Sequence, residues 1–241
     1  VTEDISTGTL LGGRVSYQQL QRGHRTGFEP VLLAAAVRAK AGERVLDAGT
    51  GAGAALLCLA ARVPGIAGVG IEQDGGLAGL AQSNFAANGF AGLRAIQGDV
   101  LHAPFRKSGF DHVLSNPPWF DESGTASPDP LRAAAHAAAP ALLAAWIGAL
   151  VPLIRPGGSL TLILPAARLS DAVSAIKGAG CGGLTILPFW PTAGAPAKLM
   201  IVTARRASRA ADRLCAGIAL HEGGKISAAA ELILSHGASL L

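Results

Sequence analysis

The segment Ser115-Asn116-Pro117-Pro118-Trp119 carries the most specific chemistry in the chain. Two consecutive prolines fix the backbone, so the Asn116 side-chain oxygen and the Pro117 carbonyl form a set pair of acceptors. An amino group on a planar base or amide is a poor nucleophile because its lone pair is delocalised. Two acceptors on its hydrogens favour a more pyramidal nitrogen, with the lone pair directed at an electrophile. This arrangement needs neither a metal nor a strong base. Trp119 offers a flat face on which a base lifted from its neighbours can stack. An Asn-Pro turn beside a core Trp would read the same in isolation. The loop that precedes it in the chain argues for the chemical reading.

That loop is Asp47-Ala48-Gly49-Thr50-Gly51-Ala52-Gly53, at the end of a first strand and directly before a helix. Glycines there allow a tight turn and close backbone approach to a ligand. Glu72 ends the second strand, 19 residues beyond Gly53, where a carboxylate can accept both hydroxyl hydrogens of a ribose. Asp99, in Gly98-Asp99-Val100 after the third strand, offers an acceptor for an adenine amino group. A turn or helix cap is the other reading of such an Asp. A dinucleotide dehydrogenase would show G-x-G-x-x-G, and Ala54-Ala55-Leu56 after Gly53 does not complete it.

These residues need a scaffold that ends several strands at one level. From Glu43 onward, short β-branched or Leu-rich runs alternate with longer Ala-rich ones, which predicts strand-helix units around a mainly parallel sheet. The expected strands are 44–48, 66–71, 93–97, 110–115 and 159–164. The expected helices are 54–62, 75–88, 131–153 with a break or start near Pro140, and 169–178, their termini punctuated by Pro64-Gly65, Asn88-Gly89 and Pro156-Gly157-Gly158, residues that stop helices and turn chains. Leu184–Trp190 and Lys198–Arg205 read as an antiparallel hairpin at one edge, and His221-Glu222-Gly223-Gly224 as a loop before a last helix. Residues 1–42 form an extension that packs on the site, with a helix over 30–39, and residues 43–241 form the domain proper. Parallel strands followed by a terminal antiparallel pair resemble class I methyltransferases, with a Rossmann-like α/β fold and a seven-stranded sheet. The resemblance implies S-adenosyl-L-methionine as cofactor, released as S-adenosyl-L-homocysteine.

Composition bounds the alternatives. The 241 residues suit one α/β domain, and 50% hydrophobic against 15% charged residues, with a mean hydropathy of +0.39, speaks for a packed interior over disorder. The stretch from Ala133 to Val151 contains His136 and Pro140, which argues against a membrane span. The start, Val1-Thr2-Glu3-Asp4, shows no secretory pattern, and a cytoplasmic location is the expectation. Cys58, Cys181 and Cys215 lie far apart without His at ligand spacing, so neither disulfides nor a metal site is expected. The net charge of +4 is compatible with a polyanionic partner. Arg14, Arg22, Arg25, Arg38 and Lys40 form one basic group, and Lys198, Arg205, Arg206, Arg209 and Arg213 another. Both are candidate phosphate contacts or ordinary solubilising charge, and their proximity in space would decide.

The order Asp47-to-Gly53, Glu72, Asp99 and Asn116-Pro117-Pro118-Trp119 resembles the amino-methyltransferases that carry an Asn-Pro-Pro-aromatic motif. Among them, Arg22-Gly23-His24-Arg25-Thr26-Gly27-Phe28-Glu29-Pro30-Val31-Leu32-Leu33 is similar to the bacterial tRNA(Val) adenine-37 N6-methyltransferase family, as are Ser127-Pro128-Asp129-Pro130 and Leu187-Pro188-Phe189-Trp190-Pro191. The resemblance implies N6-methylation of a tRNA adenine beside the anticodon. It implies Asn116, Pro117 and Trp119 at the reacting amino group, and Gly27, Asp47, Gly49, Gly51, Gly53, Glu72, Asp99 and Asn116 around the cofactor. Arg22, Arg25, Lys198, Arg205 and Arg206 would face the RNA. Phe28 and Glu29 stand where that family has a Thr-Asp pair, and Trp119 where Tyr or Phe is commoner. Guanine N2 of ribosomal RNA and glutamine N5 of a protein are the competing substrates, and a non-catalytic RNA-binding module is the reading from another class.

Overall fold

The structure, a computed structural model, describes residues 5–21, 26–118 and 130–240, with the side chains of 130–139 excepted. Strands β1 (Ile5–Leu10) and β2 (Val15–Leu20) form an antiparallel hairpin, followed by α1 (Glu29–Ala36). The main sheet is built from β3 (Arg44–Ala48), β4 (Ala67–Glu72), β5 (Leu93–Gln97), β6 (Phe110–Ser115), β7 (Ile154–Pro165), β8 (Cys181–Thr192) and β9 (Leu199–Arg206). Between them run α2 (Ala54–Arg62), α3 (Gly75–Ala87), α4 (Pro130–Leu150) and α5 (Leu169–Gly178). After β9 come β10 (Arg213–Leu214), β11 (Ile218–Glu222), β12 (Lys225–Ile226) and α6 (Ala228–Leu234).

The order across the sheet is β5-β4-β3-β6-β7-β9-β8, parallel except for β9, which runs against both β7 and β8. Alternation along the strands divides the core in two. Leu114, Ile163 and Ile201 face α1, α2, α3 and α6, whereas Val113, Leu162, Leu164, Met200 and Val202 face α4 and α5. Among the described residues no helix is long and apolar enough to cross a membrane.

Three expectations are corrected. The β8–β9 pair is not the edge of the sheet, because β11 pairs β8 in parallel and carries β12 beyond it. Pro140 does not break α4, which runs through it. Pro156-Gly157-Gly158 does not separate helix from strand but lies inside β7, where the register with β6 shifts between Phe110 and His112.

The hairpin was not expected from the sequence. Its turn needs positive φ, supplied by Gly12 and Gly13 at 61° and 94°. It docks on α3 through two side-chain amides one turn apart. Asn84 accepts from Gln18 N at 3.0 Å and donates to Gln18 O at 2.8 Å, and Asn88 accepts from Ser16 N at 2.9 Å and donates to Ser16 O at 2.7 Å. Each amide acts as a neighbouring strand would, pairing an edge that would otherwise be open. Asn84 is 1% exposed and donates also to Ala52 O at 2.9 Å, joining the hairpin to the glycine loop. Replacing Asn84 by Ala leaves buried backbone groups unpaired. It should cost about 2–4 kcal/mol in denaturant unfolding and strip hydrogen-exchange protection from the Gln18 amide.

Candidate active site

Strands β3 and β6 lie side by side and end together, Ala48 opposite Ser115. The helix after β3 covers one face of the sheet and the helix after β6 the other. A crevice opens where successive connections part in this way. It is a cleft of about 300 Å³, and Asp47, Gly49, Thr50, Gly51 and Asn116 all line it. The extension contributes Tyr17, Gln19, Thr26 and Pro30 to the opposite wall, with the Tyr17 and Thr26 hydroxyls hydrogen-bonded at 2.8 Å.

The loop follows from its residues. Gly49, Gly51 and Gly53 have φ of 72°, 55° and 88°, which L side chains rarely adopt. A Cβ on Gly53 would stand 2.6 Å from the Phe85 ring, and one on Gly51 would meet open space. Gly51 N–H donates to Glu72 Oε2 at 2.9 Å, while Glu72 Oε1 accepts from Asp74 N at 3.1 Å. Two backbone donors thereby set the carboxylate at the end of β4 beside the loop.

Asp47 is 2% exposed, and its Oδ2 accepts from Thr50 Oγ at 2.6 Å. Burial pushes its carboxyl up to about 7, against the opposing Thr50 hydrogen bond and with a further push from the Glu72 charge. Asp99 takes the capping role: it accepts from Leu101 N at 2.9 Å and meets His102 Nδ1 at 2.8 Å, and the His102 bond holds its carboxyl below the usual range. Gly27 is exposed between two lining residues, Thr26 and Pro30. The Glu29 carboxylate folds back over Gly27, and the Phe28 ring lies 6.4 Å from that of His221.

Pro117 is buried and Asn116 half-buried. Trp119, Arg22 and Arg25 lie outside the described residues. The remaining basic candidates separate. Lys198, at the start of the reversed strand β9, is at the cleft end of the sheet, level with Pro165 and Ala166. Arg205, at its other end, pairs with Ser159 and is level with Val45, three residues and roughly 10 Å below Ala48. Arg206 is half-buried, and its Nη1 donates to Ser108 Oγ and Pro152 O, both at 3.1 Å, and to Ile154 O. It clips β9 to the start of β7.

Sequence reasoning missed Trp146. Its indole N–H donates to Ser115 Oγ at 3.1 Å, and that hydroxyl donates to Ala48 O at 2.6 Å. A Cβ on Gly49 would stand 3.4 Å from the same ring. A Trp in an Ala-rich helix signals core, and only the fold brings it under both loops.

A parallel sheet with one reversed strand, and a glycine loop beside an Asn-Pro-Pro turn in the crevice, define a class I methyltransferase fold, whose methyl donor is S-adenosyl-L-methionine. The chain belongs to the methyltransferase small domain family, whose model matches residues 27–150. A Porphyromonas gingivalis protein named tRNA1(Val) (adenine(37)-N6)-methyltransferase is 37% identical over 156 residues, 61% of each chain. A Shewanella sediminis protein of the same name is 31% identical over 156 residues, 62% of this chain and 63% of that one. The chain thus matches about three-fifths of the length of these curated relatives. A solved structure from Agrobacterium tumefaciens, described as a predicted O-methyltransferase, superposes with a TM-score of 0.74 at 25% identity, over 88% of this chain and 98% of that one.

Two outcomes follow. Because the folded state holds a proton on Asp47 that the unfolded chain releases at its ordinary pKa, stability is lost as pH rises through about 7. Asp47→Asn should flatten this, so that its unfolding free energy relative to the parent improves by roughly 2–4 kcal/mol between pH 4 and pH 8. Trp146→Phe keeps the packing but loses the bond to Ser115. It should lower kcat several-fold with little change in global stability, and an unchanged kcat would separate Trp146 from the alignment of Asn116.

Proposed function

We propose that this chain transfers a methyl group from S-adenosyl-L-methionine to the exocyclic N6 of an adenine in tRNA, at position 37 beside the anticodon. The supporting observation is that Asn116 lines the same cleft as Asp47, Gly49 and Gly51. The names of the relatives from Porphyromonas gingivalis and Shewanella sediminis point to the same substrate.

The residues present fit the cofactor. Gly51 leaves open space where a side chain would stand, and Glu72 is held by two N–H groups with acceptor capacity left for ribose hydroxyls. Gly49, Gly51 and Gly53 would shape the wall along it, Asp47 its buried end, Asp99 the adenine side and Gly27 the approach from the extension. When bound, the cofactor supplies a methyl group activated by an adjacent sulfonium.

The chain's part is to aim the nucleophile. The Asn116 carboxamide oxygen and the Pro117 carbonyl accept hydrogen bonds from the two N6 hydrogens, which draws the lone pair out of conjugation and holds the nitrogen toward the methyl, and one of those protons passes to solvent once the methylated nitrogen has become acidic. Pro117 and Pro118 limit the motion of both acceptors, and Trp119 stacks on the extruded base. A hydroxyl substrate fits this site less well, because its single hydrogen must go to a base and a carboxamide is not basic.

Methyl transfer from labelled cofactor to total bacterial tRNA, followed by nucleoside mass spectrometry, tests the reading. N6-methyladenosine should appear in the tRNA. Label in protein glutamine or in guanine N2 of ribosomal RNA, with none in tRNA, would reassign the substrate. Asn116→Ala should lower turnover by about 100-fold or more and leave cofactor affinity within a few fold. Near-normal turnover would remove Asn116 from the mechanism.

A further inference from the structure

The opposite end of the sheet carries a second pocket, of about 260 Å³, among the amino ends of the strands. Three separate parts of the chain bring cations to it: Arg38 and Lys40 after α1, Arg155 at the start of β7, and Arg205 and Arg213 from the C-terminal region. Two members of the N-terminal basic group, Arg38 and Lys40, therefore meet two of the C-terminal group, Arg205 and Arg213, which lie at least 165 residues further along the chain. One carboxylate, Glu43, stands among the five.

The cations differ in what they already do. Arg155 bonds Asp111 and approaches Glu43 at 3.9 Å, and Arg205 donates to Gly157 O at 3.3 Å. Arg38, Lys40 and Arg213 are exposed, and among the described residues no side-chain hydrogen bond or ion pair involves them. Arginines with an architectural role in this fold are tied to carbonyls, as Arg62 is to Ala34 O and Val37 O. Three unpaired cations line one recess, where their summed positive field favours a bound anion.

The polar floor suits the same ligand. His112 bonds Ser159 Oγ at 2.7 Å and Glu43 at 2.9 Å, so Glu43 is engaged by His112, by the Lys40 N–H at 2.8 Å and by Arg155. Thr185 and Thr203 add hydroxyl groups to the lining. The volume is below that of most sites for whole small molecules and accommodates one or two phosphate groups.

We propose that this pocket is a second binding site, separate from the cleft, and that it takes phosphate groups through Arg38, Lys40 and Arg213. The phosphate belongs either to a free ligand or to an RNA backbone. The RNA case rests on the tRNA reading above and would place a distant part of the same RNA here, because the pocket lies at the end of the sheet opposite Asn116.

The test uses the full chain and the variant Arg38→Ala/Lys40→Ala/Arg213→Ala, with S-adenosyl-L-methionine affinity, expected unchanged, as the check on folding. Pyrophosphate titrated by calorimetry should bind the parent and bind the variant at least about tenfold more weakly, the effect of losing charge-assisted contacts worth about 1.4 kcal/mol or more in sum. If the source is RNA, tRNA affinity should fall too, and the slope of log K against log salt should shrink by roughly 2–3, about one for each lost contact. Lost pyrophosphate binding with unchanged tRNA affinity would assign a free phosphate ligand, and weakened tRNA binding alone would assign the backbone. Equal pyrophosphate binding, or none in either protein, together with unchanged tRNA affinity would overturn the proposal. The pyrophosphate arm stands even if tRNA proves not to be the substrate.

Discussion

The Ser115 hydroxyl, donating to Ala48 O and accepting from the Trp146 indole, is the contact on which the site depends. It fixes the ends of two adjacent parallel strands to each other at the point where their connections part to opposite faces of the sheet. On one side of this clip the chain turns into the glycine loop, and on the other into Asn116 and Pro117. Both walls of the cleft are therefore referenced to one hydrogen-bonded group, and neither loop has to find the other by its own rigidity. Ser115 is fully buried, where an alternative bond to water is not on offer and the geometry is correspondingly well determined.

Close approach is the second constraint. Thr50 occupies the space that a Cβ on Gly70 would need, at 2.6 Å, and its hydroxyl reaches Asp47 from there. Phe85 occupies the corresponding space at Gly53. The small residues of β4 and the loop are thus negatives of the larger side chains beside them. The same logic accounts for Ala54 and Ala55 at the start of α2, which line the cleft without filling it. An Ala-rich composition, which in sequence says little beyond helix, here lets backbone elements pack near enough to present N–H groups to the cleft.

The alternating part of the chain was legible because each of its elements has a periodicity and punctuation of its own. Arg44–Ala48, Leu93–Gln97 and Phe110–Ser115 fall where the sequence places them, and Ala54–Arg62 and Leu169–Gly178 end at the expected residues. Pro156-Gly157-Gly158 misled because a Cβ on Gly158 would stand 2.5 Å from Asp111 O and 3.0 Å from Arg155 O, where a bulge in β7 admits no side chain. A turn and a tight bulge use the same residues. The hairpin left a weaker signal, two short alternating runs around Gly12-Gly13, because its apolar face is small and its docking is polar, through Asn84 and Asn88. In the sequence those asparagines mark only a helix and its end.

Charge was the least legible property, and topology explains why. Because β9 alone among the seven central strands is reversed, its two ends fall at opposite ends of the molecule. Lys198 reaches the level of the cleft, whereas Arg205 and Arg206, only seven and eight positions on, reach the amino ends of the parallel strands. A basic cluster in sequence is split by one antiparallel strand, and part of it is then recombined with Arg38 and Lys40 from the far end of the chain. Arg206, half-buried, turns one guanidinium nitrogen to carbonyls of the β7 entry. Counting basic residues along the chain treats all of them as equivalent. Strand direction sorts them into one at the cleft, one bonded into the framework and a group at the opposite pole, where their field acts on a different ligand surface from the one that holds Asn116.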